Sequence, residues 1–375
     1  MRDGWVETNL LDVVEVLDRF RKPINATERE SRQGSVPYYG ANGQTGWIDD
    51  FLFDEELVLL GEDAIDFADP SARKAYLIDG PSWVNNHAHV LRAKIDKVES
   101  YFLAESLNKV DFSQYVSFGT RSKLTQASMN GITIPLPPLP EQKRIVDLIS
   151  SVDSYIEALQ QQLESAKRSR NAVLHELLTV SDEDWVERKL PEVVEVLDRM
   201  RKPINSTERE ERKGTIPYYG ANGQTGWIDE FIFNEELVLL GEDAIDFADP
   251  SARKAYLIQG PSWVNNHAHV LRADKTIVNS YFLMESLNKV DYSQYVSFGT
   301  RSKLTQASMN GIKLLIPPIE FQEKFVDLLE NFDEVIEATQ RSIEDSKVLR
   351  SGMLSDLLSG EHEIPESYDK VMGAA

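Results

Sequence analysis

The segment Tyr38-Tyr-Gly-Ala-Asn-Gly-Gln-Thr-Gly-Trp47 recurs without change at residues 218–227, 180 positions further along the chain. Two longer stretches recur at the same spacing: 55–78 at 235–258, and 113–132 at 293–312. A repeat of this length exceeds the roughly 20–50 residues of a solenoid unit, so each copy is predicted to be a complete domain with an appendage. Two copies of one surface in one chain suit a target that itself has two halves.

The composition excludes several classes of protein. The chain has 375 residues, a formal net charge of −22 and no cysteine, which rules out a disulfide scaffold, thiolate catalysis and cysteine-ligated zinc. No apolar run reaches transmembrane length and the N-terminus lacks the core of a signal peptide, so we expect a cytoplasmic protein with no membrane partner. The acidity keeps such a protein soluble, and it means that any DNA binding depends on local basic clusters or a basic partner.

The first part of each copy, residues 5–138 and 185–318, is rich in glycine, aromatic and β-branched residues. Short apolar runs at 57–60, 75–78 and 89–91 lie between Gly, Pro and Asn-Gly pairs, which predicts short strands and turns in an α/β (α+β) domain dominated by strands. Asn42-Gly43 is the predicted turn of a hairpin. Residues 10–19 and 101–110 are predicted to be helical.

The second part of each copy predicts a long helix. Pro140-Glu141 supplies a good first turn, and no Gly or Pro follows through residue 180. The seam positions recur at alternating steps of four and three, the period of a coiled coil. They are Ile145, Ile149, Val152, Ile156, Leu159, Leu163, Ala166, Arg170, Val173 and Leu177, and then Phe325, Leu329, Phe332, Ile336, Thr339, Ile343, Ser346, Arg350, Met353 and Leu357. The two helices are predicted to pair with each other; the alternative is that each packs on its own domain.

Arg170 and Arg350 interrupt both seams at the same step. A polar residue in a coiled-coil seam fixes register and orientation. The alternative is that this turn of each helix has left the interface.

Catalytic motifs are absent from the sequence. There is no G-x-x-x-x-G-K-[ST] phosphate loop and no strand–G-x-G-x-x-G–helix unit. His87 and His89 could begin a metal site on one face of a strand, but no third ligand is evident, which favours hydrogen-bonded structural histidines. An acidic group could hold magnesium, although turn formation and solvation are favoured: Glu62, Asp63, Asp66 and Asp69.

Two polar loops are candidates for contact with DNA: residues 40–46 and 117–124. Arginine can read guanine, asparagine and glutamine can read adenine, and Ser, Thr and Lys suit phosphates. The cationic pairs Arg73-Lys74 and Arg21-Lys22 are weaker candidates, for which a solvated surface pair is favoured. The predicted DNA-binding residues are Asn42, Gln44, Thr45, Arg73, Lys74, Thr120, Arg121, Ser122 and Lys123, with Asn222, Gln224, Thr225, Arg253, Lys254, Thr300, Arg301, Ser302 and Lys303 in the second copy.

The segment Ile134-Pro-Leu-Pro-Pro-Leu-Pro-Glu-Gln-Lys-Arg-Ile-Val146 closely resembles the domain-to-helix junction of specificity (S) subunits in Type I restriction-modification systems. Segments 39–43, 84–90 and 119–124 also resemble parts of their target-recognition domains. The second copy has a looser junction at 316–326. The resemblance covers nearly the whole chain in the family's order.

The resemblance implies two target-recognition domains (1–139 and 185–318) separated by antiparallel coiled-coil spacer helices (140–184 and 319–360) with pseudo-twofold symmetry. Residues 361–375 are predicted to be a flexible acidic tail. It also implies that each domain binds half of a split double-stranded DNA site. The chain would hold two methyltransferase subunits, which carry S-adenosylmethionine and modify adenine, and in a full system it would recruit restriction subunits. The chain itself is expected to hold no cofactor and to be no enzyme.

The copies differ less than is common in this family. The differences are few and mostly mild, among them Asp50/Glu230, Leu52/Ile232, Asp54/Asn234, Asp79/Gln259 and Phe112/Tyr292. Identical domains related by a twofold axis read identical half-sites on opposite strands, which predicts an interrupted palindrome. The alternatives are a DNA mimic that inhibits DNA-binding enzymes, and a single-chain restriction enzyme. Arg121 and Lys123 in a repeated loop count against the first, and the lack of catalytic motifs counts against the second.

Overall fold

The computed structural model describes residues 4–69, 72–116, 122–179, 184–296 and 302–372. The chain folds as two compact units: the first unit comprises Met1–Gln160 with Arg341–Ala375, and the second unit comprises Gln161–Gln340. Each unit therefore combines the strand-rich part of one copy with segments of both long helices. The boundaries predicted from the sequence fall between domains and helices, whereas the boundaries of the compact units fall within the long helical segments.

Ten strands lie in the described part of the first unit. They are β1 (Val6–Asn9), β2 (Val14–Val16), β3 (Val36–Gly40), β4 (Gly43–Ile48), β5 (Phe53–Asp54), β6 (Leu57–Gly61), β7 (Ala75–Ile78), β8 (Pro81–Val84), β9 (Ala88–Ala93) and β10 (Thr133–Leu136). They form a β1-β10 pair and two four-stranded sheets, ordered β2-β9-β6-β7 and β4-β3-β8-β5. The strands β3 and β8 run parallel, and the other paired strands are antiparallel. The short helices are α1 (Leu10–Val13), α2 (Ala26–Ser31), α3 (Ser100–Asn108) and α4 (Gln126–Met129).

The chain then continues through a long helix, α5 (Leu139–Thr179), into the second copy. Its strands are β11 (Val186–Lys189), β12 (Val194–Val196), β13 (Ile216–Gly220), β14 (Gly223–Ile228), β15 (Phe233–Asn234), β16 (Leu237–Gly241), β17 (Ala255–Ile258), β18 (Pro261–Val264), β19 (Ala268–Ala273) and β20 (Lys313–Ile316). Its helices are α6 (Ser206–Glu211), α7 (Ser280–Lys289), α8 (Gln306–Met309) and α9 (Ile319–Ser359), and α10 (Tyr368–Met372) follows. The sheet orders repeat those of the first copy: β11-β20, β12-β19-β16-β17 and β14-β13-β18-β15.

The predicted strands at 57–60, 75–78 and 89–91 are confirmed, and so is the helix predicted at 101–110. The helix predicted at 10–19 is wrong. It stops at Val13, and Val14 and Val16 pair with β9, because β-branched residues suit a sheet better than a helix. The hairpin is confirmed with its turn one residue earlier: β4 begins at Gly43, whose φ of +104° requires glycine.

The core of the first unit lies on both faces of the central strand β6. Successive side chains of a strand point to opposite faces. Val58 and Leu60 accordingly pack in the core that contains Phe102 and Leu103 of α3, while Leu57 and Leu59 pack in the smaller cluster towards the β4-β3-β8-β5 sheet. Complete burial of such aliphatic side chains stabilises the fold by roughly 1.5–3 kcal/mol each, so this strand holds the two layers together.

The long helices pair antiparallel within each unit, as predicted. In the first unit Arg350 of α9 bonds Asp153 of α5, while Ile145, earlier in α5, shares a core with Leu358, later in α9. The second unit has the equivalent Arg170–Asp333 contact. Because α5 contributes Ile145 to one core and Leu174 to the other, the alternative that each helix packs only on its own domain is wrong.

The seam arginines tie three helices together in each unit. Arg170 bonds both oxygens of Asp333 on α9, at 2.6 and 3.0 Å, and reaches Glu285 and the Tyr281 hydroxyl on α7 at 2.7 and 2.8 Å. Arg350 makes the same contacts with Asp153, Tyr101 and Glu105. The Arg170 side chain is 13% exposed, so the alternative that this turn has left the interface is wrong. Fixed partners on two helices support the predicted role in register.

The prediction of a flexible tail is wrong for its described part. Ile364 is buried in the core of the first unit, and Tyr368 packs against the same core. Arg144 near the start of α5 bonds both oxygens of Asp369, at 2.7 and 3.1 Å, and the carbonyl of Ile364. The apolar side chains of Ile364 and Tyr368 anchor this polar segment to the core. The charge composition of the segment does not reveal these contacts.

Candidate nucleic-acid interface

Four loops of each strand-rich domain meet in one place, which we call the reading-loop cluster: residues 41–46, 62–69, 85–87 and 122–125, with 221–226, 242–249, 265–267 and 302–305 in the second copy. Asn42 Nδ2 donates to the Ala64 carbonyl at 2.8 Å, joining the hairpin to the second loop. The Leu124 amide donates to the Glu62 carbonyl at 2.7 Å, and the Glu62 amide donates to the carbonyl of His87 at 2.8 Å. Segments far apart in sequence are thus fixed by backbone hydrogen bonds.

Ala64 adopts a left-handed backbone conformation with φ of +56°, and Ala244 does the same at +55°. An alanine in this region is strained, and such strain persists only where the surroundings hold it. The bond from Asn42 to the Ala64 carbonyl supplies part of that support, so the hairpin and the loop after β6 stabilise each other.

A buried imidazole fixes the base of the cluster. His89 is 1% exposed; its Nδ1 lies 2.6 Å from Asp18 Oδ2 and its Nε2 lies 2.9 Å from the Leu124 carbonyl. Both partners are acceptors, which an imidazolium satisfies by donating from each nitrogen. In the second copy, burial opposes ionisation of Asp198, but the His269 bond holds the pKa of that carboxyl below its usual value. The interpretation of His89 as a hydrogen-bonded structural histidine is confirmed; His87 lies in the turn before β9, where it bonds Asp63 at 2.7 Å.

Glu62 is the second anchor of the cluster. Its carboxylate accepts from Arg21 and Lys123, each at 2.8 Å. Burial opposes ionisation, but the bonds from Lys123 and Arg21 hold the pKa of Glu62 below its usual value. Asp66 accepts the amides of Ala68 and Asp69, as the predicted turn requires. Among the described residues, no group of three His, Asp or Glu side chains is arranged to hold a metal ion.

The structure brings only part of the predicted contact set to this surface. Asn42, Gln44 and Thr45 are exposed on the hairpin, and their counterparts Asn222, Gln224 and Thr225 are equally exposed. Ser122 and Lys123, like Ser302 and Lys303, belong to the cluster, and Lys123 is half exposed and paired to Glu62. Thr120, Arg121, Thr300 and Arg301 lie outside the described residues.

The cationic pair at 73–74 divides between two environments. The Arg73 side chain is 57% exposed and pairs with Glu105 at 2.9 Å; Arg253 lies 3.8 Å from Glu285. Lys74 and Lys254 are 2% exposed, and each ammonium donates to a backbone carbonyl, that of Asp69 or Asp249. Burial lowers the pKa of both lysines. The expectation that both members of the pair lie on the surface is wrong for the lysines, whose ammonium groups are buried and bonded within the domain.

Sequence reasoning missed a second polar and aromatic surface beside the hairpin. Arg29 on α2 stacks over the Tyr38 ring at 5.0 Å, and Arg32 stacks over the Trp83 ring at 4.7 Å. Trp47 on the edge strand β4 is 55% exposed, and so is Trp227. The spacing of the two arginines, which places them on one face of a helix, was the available signal.

The geometry of the cluster is the same in both copies. The Asn42–Ala64 bond of 2.8 Å corresponds to 2.9 Å for Asn222–Ala244, and the Lys–Glu pair measures 2.8 Å in both. Among the residues that the structure describes, no helix is long and apolar enough to cross a membrane. Fold and surface define a class: a protein with two copies of one polar recognition domain, joined by paired helices.

Comparison with known proteins identifies the family. The sequence matches the family described as "Type I restriction modification DNA specificity domain" twice, over residues 2–168 and 182–345. The chain therefore belongs to this family, whose members are DNA-recognition subunits of type I restriction-modification systems without catalytic activity of their own. The resemblance seen in the junction sequence is confirmed.

Individual relatives agree along most of the chain. A protein of Haemophilus influenzae named as a type I restriction enzyme specificity subunit is 26% identical over 91% of this chain and 92% of its own length. The EcoprrI specificity subunit of Escherichia coli is 27% identical over 57% of this chain and 56% of its own length. The crystal structure of the S subunit from M. genitalium has the same fold, with a TM-score of 0.62 at 16% identity over 95% of this chain and 97% of that one.

Proposed function

We propose that this chain reads a bipartite, palindromic DNA target, with each reading-loop cluster contacting one half-site. The paired helices set the unread gap and dock two methyltransferase subunits, which carry S-adenosylmethionine and methylate adenine in the cytoplasm. Restriction subunits join in a full system. The observation that carries the proposal is the identity of the two clusters in sequence and in hydrogen-bond geometry, since identical readers select identical half-sites.

Further support comes from the exposure of the hairpin side chains. Asn42, Gln44 and Thr45 lie on a hairpin that the bond from Asn42 to the Ala64 carbonyl holds in place, as recognition of base edges requires. The domain carrying them is built around a buried core, so their positions are set by a rigid scaffold.

The decisive experiment maps methylated adenines in cells that express this chain with its cognate methyltransferase. We expect one motif whose two halves are inverted copies separated by a fixed gap. Two unrelated half-sites would refute the palindrome while leaving the role in recognition intact. Co-purification of several unrelated DNA-binding enzymes, with no methylation motif, would instead favour a DNA mimic.

The proposed base contact of the second loop is tested by the double variant Arg121→Ala/Arg301→Ala, with exposed Arg168→Ala on α5 as the matched control. Loss of a bidentate guanine contact in each half-site lowers discrimination by about 1–3 kcal/mol per site. We expect the target preference to fall while the melting temperature stays within about 2 °C of the control. A collapse of the fold would show that these arginines are structural.

The net charge of −22 is expected to lower the affinity of the isolated chain for DNA. Since DNA affinity comes largely from neutralised phosphates, we expect the isolated chain to bind its target weakly and the complex with methyltransferase to bind tightly. Fluorescence anisotropy at physiological salt measures both. Nanomolar binding by the isolated chain would contradict this expectation.

A further inference from the structure

Three side chains of the hairpin in the reading-loop cluster each donate one hydrogen bond to a backbone carbonyl. Asn42 Nδ2 donates to the Ala64 carbonyl at 2.8 Å, Gln44 Nε2 to the Gly46 carbonyl at 3.2 Å, and Thr45 Oγ1 to the Tyr38 carbonyl at 3.4 Å. The second copy repeats all three bonds at 2.9, 3.2 and 3.5 Å. A backbone carbonyl only accepts, so each partner fixes the orientation of the side chain that faces it.

The side-chain oxygens of Asn42 and Gln44 are left to accept from a ligand, and each amide nitrogen keeps one N–H besides the one that it donates. In the part of the chain that the structure describes, no donor bonds Asn42 Oδ1 or Gln44 Oε1, and both residues are exposed. In the second copy Asn222 and Gln224 line a cavity of about 590 Å³ together with Asp246, whose carboxylate is an acceptor, and Arg253, whose guanidinium is a donor. The cavity is large enough to admit the edge of a base.

We propose that the oxygens of Asn42 and Gln44, and of Asn222 and Gln224, form a subsite for the exocyclic amino group of a base in the major groove. This inference rests on the proposed function and specifies its chemistry. Adenine presents N6–H₂ and cytosine N4–H₂ as donors, whereas guanine O6 and N7 and thymine O4 are acceptors. An amide oxygen that faces the base accepts from adenine or cytosine and finds no donor on guanine O6 and N7 or on thymine O4.

This chemistry differs from the adenine contact that the sequence suggests. A bidentate amide accepts from adenine N6 and donates to N7. The amide nitrogens of Asn42 and Gln44 are already bonded to backbone carbonyls, and withdrawing Asn42 removes support from the strained Ala64. In the proposed subsite each amide oxygen accepts from the amino group while its nitrogen stays with its backbone partner, so N7 is not required.

The test uses the complex with the cognate methyltransferase and a duplex carrying the target found by methylation mapping. Each adenine is replaced in turn by purine, which lacks the N6 amino group, or by 7-deazaadenine, which lacks N7; each cytosine is replaced by 2-pyrimidinone, which lacks the N4 amino group. We expect one position in each half-site where loss of the amino group weakens binding by roughly 5–150-fold, the equivalent of about 1–3 kcal/mol. At that position 7-deazaadenine, where the base is adenine, leaves affinity within about twofold.

The variant Gln44→Met/Gln224→Met removes the amide at nearly constant size, and we expect it to reduce the amino-group penalty. Asn42→Leu/Asn222→Leu is the second variant. The matched control is Gln114→Met/Gln294→Met, which changes exposed glutamines outside the reading-loop cluster and leaves the penalty unchanged. Thermal unfolding of each complex establishes that the variants are folded.

Two results would overturn the inference while leaving the proposed function standing: equal sensitivity to 7-deazaadenine, or an amino-group penalty that persists in both hairpin variants. Failure of the proposed function has a different signature. In that case the complex binds the mapped duplex no better than a scrambled one.

Discussion

Replacing Arg170 by methionine removes the cation that joins α5, α7 and α9 in the second unit. The change leaves Glu285, which is 4% exposed, without the guanidinium at 2.7 Å, and leaves Asp333 without its bidentate partner. Burial opposes ionisation of Asp333, and the bonds from Arg170 and Tyr281 hold the pKa of that carboxyl below its usual value. Breaking a buried ion pair from one side destabilises a protein by about 3–5 kcal/mol.

The exposure of Asp333 places the expected loss of stability at the lower end of that range. Asp333 is 38% exposed, so water solvates it in the variant, and the main loss falls on Glu285. The expected loss for Arg170→Met is about 3 kcal/mol, or roughly 6–12 °C in melting temperature for a unit of this size. Arg350→Met is expected to cost less, because Arg73 lies 2.9 Å from Glu105 and still compensates it, whereas Arg253 lies 3.8 Å from Glu285.

Hydrogen exchange at α7 reports on the second unit and exchange at α3 reports on the first, while thermal unfolding measures the loss of stability. Arg168→Met is the control, because Arg168 is exposed on the same helix. We expect exchange to rise in α7 for Arg170→Met and, more weakly, in α3 for Arg350→Met. Equal losses for the two seam variants would refute the argument from residual compensation, and a loss no larger than that of the control would refute the role of the seam arginines.

Three further predictions follow from individual residues. Gly352 lies in the exposed interior of α9, where no atom of the described residues comes within 4 Å of an added Cβ, so Gly352→Ala should raise the unfolding free energy by about 0.5–1 kcal/mol. Gly34→Ala should lower the melting temperature, because its Cβ would lie 2.2 Å from the Ile48 carbonyl. The pKa values of Asp153 and Asp333 are lowered in the folded state, so the stability that these carboxylates contribute is complete above about pH 5 and is lost as the pH falls below about 4. Unfolding measured across an acid titration tests this, and undiminished stability at pH 3 would contradict it. His89→Leu leaves the Asp18 carboxylate and the Leu124 carbonyl without their imidazole partners, so it should lower the unfolding free energy by about 1–3 kcal/mol and speed hydrogen exchange at the Leu124 amide. Unchanged exchange would show that the imidazole does not anchor this loop.

Much of the fold could be predicted because its signals are local. The four-and-three spacing of the seam predicts both long helices, and uninterrupted apolar runs predict β6, β7 and β9. The helix predicted at 10–19 failed because its periodicity competes with β-branched residues that pair with β9, a contact distant in sequence. The prediction of a flexible tail failed for the same reason, because the contacts of Ile364 and Asp369 depend on residues near the start of α5.

The candidate site divides in the same way. The two loops and their polar residues were proposed from the sequence, because residue types alone suggest hydrogen-bonding chemistry. The burial of Lys74 and the stacking of Arg29 on Tyr38 were not, because both depend on which segments come together in space.

By itself the sequence determined the duplication, the helical seams and the family, because these are properties of residue order along one chain. Only the tertiary structure decided that each unit takes helix segments from both copies, since that follows from antiparallel pairing. It also decided that Asn42 and Thr45 donate to the carbonyls of Ala64 and Tyr38, because folding brings these carbonyls within reach. A side chain's identity sets what it can donate or accept, and its neighbours decide which of those atoms remain free.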